Sequence, residues 1–212
     1  MAEMSMNRVI HGAVRRDLGR FDSSLAAFPE GDAQRAAQLG AAWRFFYEQL
    51  TRHHSDEHAI AWPPLQEIGV DPELLAKFDA EHDLTAAALA STNDAMKALE
   101  RAPTADSVAA AASAVTTLRT VTNQHLDHEE AELEPVYAEK KDTPEIKAMG
   151  REFGKVSPKV GGNFFAWIQN GANDDEQAAL RASVPGPVLA IIGGVFGRDY
   201  RRRIAPVWRT GA

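Results

Sequence analysis

HHSDEHAIAWP, residues 53–63, returns as HLDHEEAELEP, residues 125–135, and the two stretches share a His, a Glu four residues on, an Ala two further and a Pro four further. On an α-helix, residues i and i+4 lie on one face. His53 with Glu57, and His125 with Glu129, would therefore each present an imidazole and a carboxylate to the same side of a helix. The repeat extends upstream, because His11 precedes His53 by 42 residues and His82 precedes His125 by 43.

Whether these side chains face inward is decided by what surrounds them. Four segments carry apolar residues at steps of three and four, the seam of a helix packed in a bundle. Val14, Leu18, Phe21 and Leu25 mark the first, and Leu39, Trp43, Phe46 and Leu50 the second. Leu75, Phe78, Leu89 and Met96 mark the third, and Val108, Ala111, Val115 and Leu118 the fourth. Each seam runs on through a polar position: His11, then His53 and Glu57, then His82, then His125 and Glu129. The breaks between segments are FPEGD at 28–32, a loop ending in Asp71-Pro72-Glu73, and Ala102-Pro103-Thr104. Asp71 and Thr104 are suited to cap helix N-termini, with Pro72 at the first helical position.

The pattern predicts an all-α fold, a helical bundle over residues 1–140 followed by a helical C-terminal extension over 141–212. In the extension Thr143-Pro144-Glu145 opens a helix, and Gly161-Gly162, NGANDDE at 170–176 and Pro185-Gly186-Pro187 divide the rest of the chain. Two or three further helices packed on the bundle, ending near Trp208, are expected. Phe164, Phe165 and Trp167 are read as core or as a homodimer contact, and Arg201–Arg203 as a solvated face.

Composition narrows the chemistry. The 212 residues include no cysteine, which excludes disulfides, thiolate nucleophiles and cysteine-held metals. Any metal must be bound by His and carboxylate. Net charge is −7; five of the 23 basic residues and one of the 30 acidic ones lie from Arg198 onward, leaving −11 on the rest. Such a surface argues against nucleic acid as a partner. The start, MAEMSMNRV, carries no secretory pattern, so a cytoplasmic location is expected. The longest apolar run, PVLAIIGGVFG at 187–197, is shorter than the roughly 20 residues of a membrane span.

Six polar side chains on four seams would each cost roughly 1–3 kcal/mol if buried without partners. Together they make four imidazoles and two carboxylates, an inventory that suits two iron or manganese ions bridged by the carboxylates. A purely structural bundle would have to bury the same groups with nothing to satisfy them. His54, His58 and His128 lie about one step off the seams and are read either as surface groups or as groups that support or replace a ligand, His54 and His58 forming a further i, i+4 pair. Asp56, Asp127 and Glu130 are read as solvated acids or as acids that orient imidazole N–H groups. No helix carries a Glu-x-x-His pair of the ferritin kind.

IHGAVRRDL around His11, HHSDEHAIAWPPL, AEHDL around His82 and HLDHEEAELEP together resemble the hemerythrin-like family of HHE cation-binding domains, over about residues 5–138. The resemblance implies an up-down-up-down four-helix bundle around a non-haem di-iron centre with bridging oxo or hydroxo ligands. It places His11 and His53 on one iron, His82 and His125 on the other, and Glu57 and Glu129 between them. Oxygen-carrying relatives add a His one turn after the third-helix His, where this chain has Ala86. That difference implies two more nearly equivalent irons and a shift from simple O2 carriage toward chemistry on peroxide or nitric oxide. A non-catalytic sensor or carrier of oxygen, nitric oxide or iron, signalling through the C-terminal helices, is the alternative expectation.

Overall fold

The computed structural model describes residues 4–184 and 186–209, without the side chains of Pro187 and Val188. Four long helices form a bundle: α1 (Met6–Ala26), α2 (Ala33–Asp56), α4 (Pro72–Arg101) and α5 (Ala105–Lys140). Between α2 and α4 the chain makes a wide π-helical turn at Glu57–Ala61 and a short helix α3 (Trp62–Glu67). No strand occurs among the described residues.

The helix starts are fixed by local chemistry. The Asp71 side chain accepts from Glu73 N, with Pro72 at the first helical position, and Thr104 makes a reciprocal capping box with Ser107. Ser5 and Asp32 cap α1 and α2 in the same way as Asp71 caps α4, each through a side-chain oxygen. The short loops leave neighbouring helices antiparallel, and α1 packs on α2 and α5 while α4 packs on α2 and α5, closing the ring.

The seam residues form two apolar layers with the polar positions between them. The larger layer holds Leu18, Phe21, Trp43, Phe46, Leu99 and Leu118, each buried. The smaller one, at the end of the bundle where α2 gives way to α3, is built from Trp62, Leu65, Leu75, Phe78 and Leu133. His11, Glu57, His82, His125 and Glu129 are buried between the two layers.

The extension contains more helix than the breaks in the sequence imply. It comprises α6 (Pro144–Phe153), α7 (Pro158–Gln169), α8 (Asp174–Ser183) and α9 (Gly186–Ile191), then π turns at Ile192–Phe196 and Tyr200–Ile204 and a 3-10 turn at Ala205–Arg209. Gly161 and Gly162 do not break the chain; both lie inside α7. A Cβ on Gly162 would collide with Phe196 and Gly197, so the glycine serves close packing of two segments. Of the Pro185-Gly186-Pro187 turn, Pro185 lies outside the described residues and Gly186 begins α9. No helix among the described residues is long and apolar enough to cross a membrane.

α7 and α8 lie on α1, the Tyr200–Ile204 turn lies on α2, and α6 lies across α3 and the Glu57–Ala61 turn. The anchor to α1 is polar. Trp167 Nε1 donates to Asp17 Oδ2 at 2.8 Å and Arg20 Nη1 to Asp17 Oδ1 at 2.8 Å, with Asp17 and Trp167 both 1% exposed. Arg16 and Arg20 also donate to the carbonyls of Ile168 and Asn170, satisfying the C-terminal end of α7. Trp167 is thus core, Phe164 and Phe165 are partly buried against it, and Arg201–Arg203 are exposed.

Replacing Trp167 by Phe keeps a ring in the core but leaves Asp17 short of a donor. The variant should lose about 1–3 kcal/mol, read as a lowered urea midpoint with an unchanged slope. An unchanged midpoint would mean that the anchor contributes nothing.

Candidate metal centre

The four helices bring all six seam residues together. Two groups of donors emerge, His11, His53, Glu57 and Glu129 in one and His54, Glu57, His82 and His125 in the other, with the donor atoms in each lying within 4.8 Å of one another. Glu57 belongs to both. Its Oε1 lies 3.2 Å from His53 Nε2 and its Oε2 lies 3.4 Å from His82 Nε2, so one carboxylate reaches across the two groups. Glu129 Oε2 lies 3.4 Å from His11 Nε2 and 3.6 Å from His125 Nε2. Its other oxygen accepts a hydrogen bond from Asn7 Nδ2 at 2.9 Å.

Carboxylates outside the cluster face the opposite ring nitrogens. His11 Nδ1 lies 3.0 Å from Glu130 Oε1, and His125 Nδ1 lies 3.0 Å from Glu81 Oε2. An Nδ1–H donated outward leaves the Nε2 lone pair pointing in, the tautomer a metal requires. Glu130 is itself held by Arg15, which also pairs with Asp127 at 2.6 Å. Glu81 also accepts from His128 Nδ1 at 2.8 Å.

Glu130 therefore orients an imidazole and Asp127 pairs with the arginine that holds Glu130. Asp56 enters neither donor group. His128 lies outside the cluster on Glu81. His58 turns away: its side chain is 70% exposed and its Nδ1 meets Asp79 at 3.1 Å, which undoes the pairing with His54 suggested by their spacing. His54, one step off its seam, faces inward and stacks on His82 with centroids 4.0 Å apart and planes 8° from parallel.

Asn7, Glu81 and Asp79 are the contributors that sequence reasoning missed. Asn7 lies on the α1 seam one turn before His11, which was the available signal. Glu81 and Asp79 lie on exposed or half-exposed positions of α4, and nothing in their spacing separates them from ordinary surface acids.

Electrostatics make the cluster a cation receptor. Burial and the neighbouring imidazoles hold His53 and His54 well below the ordinary histidine value, and burial beside His125 brings His82 to about 4. Burial also lowers His125, against the pull of Glu81. These rings are uncharged at neutral pH, with lone pairs free. His11 differs: burial works to lower it, but the facing carboxylates of Glu129 and Glu130 outweigh that and raise it. Glu57 is pushed well above the carboxylate range by burial and by the charge of Glu129.

The donor atoms also lack partners. His11 Nε2, His53 Nε2, His54 Nε2, both Glu57 oxygens and Glu129 Oε2 are buried without a hydrogen bond among the described residues. His82 Nε2 and His125 Nε2 approach to 3.0 Å, where two lone pairs would repel unless a cation or a single proton served both. Metal cations would satisfy these atoms, and the donor set of imidazole and carboxylate fits iron or manganese.

A family model described as the hemerythrin HHE cation-binding domain matches residues 7–152. No curated protein and no solved structure matches the chain.

Burial would raise the Glu130 carboxyl, but hydrogen bonds from His11 and Arg15 bring it down to about 2. A folded value below the ordinary glutamate value of about 4.3 means stability that is present above that pH and lost as pH falls toward about 2. In metal-free protein the difference in urea midpoint between the native chain and Glu130→Gln should therefore shrink from about pH 5 to about pH 2.5. A difference that stays constant over that range would contradict the assignment.

Proposed function

The chain belongs to the hemerythrin HHE cation-binding domain family, and from that premise we propose that it is a non-haem di-iron protein that binds or reacts with dioxygen, hydrogen peroxide or nitric oxide. The observation that carries this reading is the sharing of Glu57 between two His/Glu donor groups whose inward atoms have no other partner. His11, His53 and Glu129 would hold one metal and His82 and His125 the other, with Glu57 reaching both. Iron bound there supplies redox-active Lewis acids with coordination positions left for a small ligand.

The protein's own part is to position and to seal. Glu130 and Glu81 fix the tautomers of His11 and His125, and Asn7 pins one oxygen of Glu129 so that the other stays with the imidazoles. Trp62 and Phe78 cover the cluster on one side, with the indole of Trp62 stacked 5.9 Å from His82 and donating to Asp79. Leu50 and Val14, each three residues from a cluster histidine on its own helix, are buried in the larger apolar layer on the other side. Ala86, where oxygen carriers resembling this chain have a histidine, favours consumption of peroxide or nitric oxide over reversible carriage of O2.

One observation favours the sensor reading. α1 carries His11 and also receives α7 through Asp17 and α8 through the Arg16–Glu176 ion pair, so a shift at the centre has a direct route to the extension.

Purified protein should contain about two irons per chain, and His53→Ala and Glu129→Ala should each lower that content. Fully folded, iron-free protein from iron-replete cells would overturn the reading. A near-ultraviolet absorption band that responds to peroxide or nitric oxide, with peroxide turnover abolished by removing the metal, selects the enzyme. A spectral response without turnover selects the sensor.

A further inference from the structure

We infer that the two metal positions are unlike: His54 supplies a third imidazole to the position formed by His82, His125 and Glu57, and this position loads first. The inference rests on the dinuclear reading above and goes beyond it by assigning a seventh ligand and an order of filling.

His53 and His54 are consecutive, so on α2 they point about 100° apart. A helix whose inward face lies between them can send one ring to each metal. Glu57 is four residues from His53 and three from His54, the two spacings that bring side chains together on a helix. The carboxylate thus stands one turn beyond both rings, and it is the residue shared by both donor groups. His54 Nε2 is buried and has no hydrogen-bond partner. Its ring lies flat on His82 at 4.0 Å and edge-on to His125 at 5.4 Å, with an 87° interplanar angle.

A packing role alone would explain the stacking. It would not explain a buried nitrogen without a partner, which a phenyl ring would avoid at no loss of contact. Ala86 gives α4 no second donor one turn after His82, and α2 makes up the count instead. The two metals are then not nearly equivalent, as the missing α4 histidine by itself implied. One has two imidazoles and two carboxylates, the other three imidazoles and the shared carboxylate.

Nitrogen-rich sites gain affinity along the first-row divalent series from Mn(II) through Fe(II) to Co(II) more strongly than oxygen-rich ones. The His54 position should therefore fill first with Fe(II) or Co(II) and discriminate more sharply against Mn(II).

The test is titration of the metal-free full-length chain with Co(II), followed by absorption and calorimetry, for the native protein, His54→Phe and His54→Glu. The native chain should take two Co(II), the first at least tenfold more tightly than the second. His54→Phe keeps the stacking ring and loses the nitrogen: the tight class should weaken at least tenfold, while the metal-free variant unfolds at an equal or higher urea midpoint. His54→Glu, which returns a donor at that place, should recover at least part of the affinity lost in His54→Phe. Two ions bound by His54→Phe with native affinities, or two equal classes in the native chain, would overturn this inference and leave the dinuclear centre standing. A native chain that binds no Co(II) would overturn both.

Discussion

Two carboxylates buried close together, Glu57 and Glu129, whose charged partners among the described residues are histidines, set the terms for the rest of the bundle. A desolvated carboxylate is costly, and a second one beside it makes both worse. The helices meet that cost with a ring of imidazoles, whose nitrogens can face the carboxylates directly or share a cation with them. Four helices each placing a histidine at one level, between two apolar layers, is the minimal scaffold that surrounds such a pair.

Charge then alternates outward from this centre. Imidazole nitrogens face the carboxylates, Glu130 and Glu81 face the far side of the imidazoles, and Arg15 and Arg8 face Glu130. Each layer fixes the orientation of the one inside it, and the outermost reaches solvent, where its charges are well hydrated. The same logic recurs at Asp17, where a buried carboxylate is satisfied by an indole and a guanidinium and holds α7 against α1. Cation-seeking and cation-satisfied buried acids thus serve the same helix, α1, at positions less than two turns apart.

The parts of this arrangement visible in the sequence are those that obey a helical period. His11, His53, Glu57, His82, His125 and Glu129 replace apolar residues on seams, and the structure brings them together. Asp71 and Thr104 were legible as caps because capping is local. His54 was ambiguous because an adjacent residue lies about 100° around the helix, and only the positions of α4 and α5 decide which side is inside. Glu81 and Asp79 were invisible for a related reason: a surface acid becomes a partner of an imidazole only through the neighbour it meets. In the extension, Gly161 and Gly162 look like a break, yet the role of Gly162 is set by Phe196, 34 residues further on. The division expected at residue 140 falls where α5 ends, but the family match runs on to residue 152, through most of α6.

The π turn at Glu57–Ala61 has a wider meaning. Its wide bond, from Trp62 N to the Glu57 carbonyl, admits one extra residue just after Glu57, the last member of the donor cluster on this stretch of chain. Everything downstream is thereby rotated relative to an uninterrupted α-helix, which brings the Trp62 indole onto His82 and Leu65 into the covering layer. Ligand spacing and the choice of covering side chains become separate variables. Upstream of the turn the chain specifies what is bound, and downstream it specifies what shields it, so the shield can be changed without disturbing the grip.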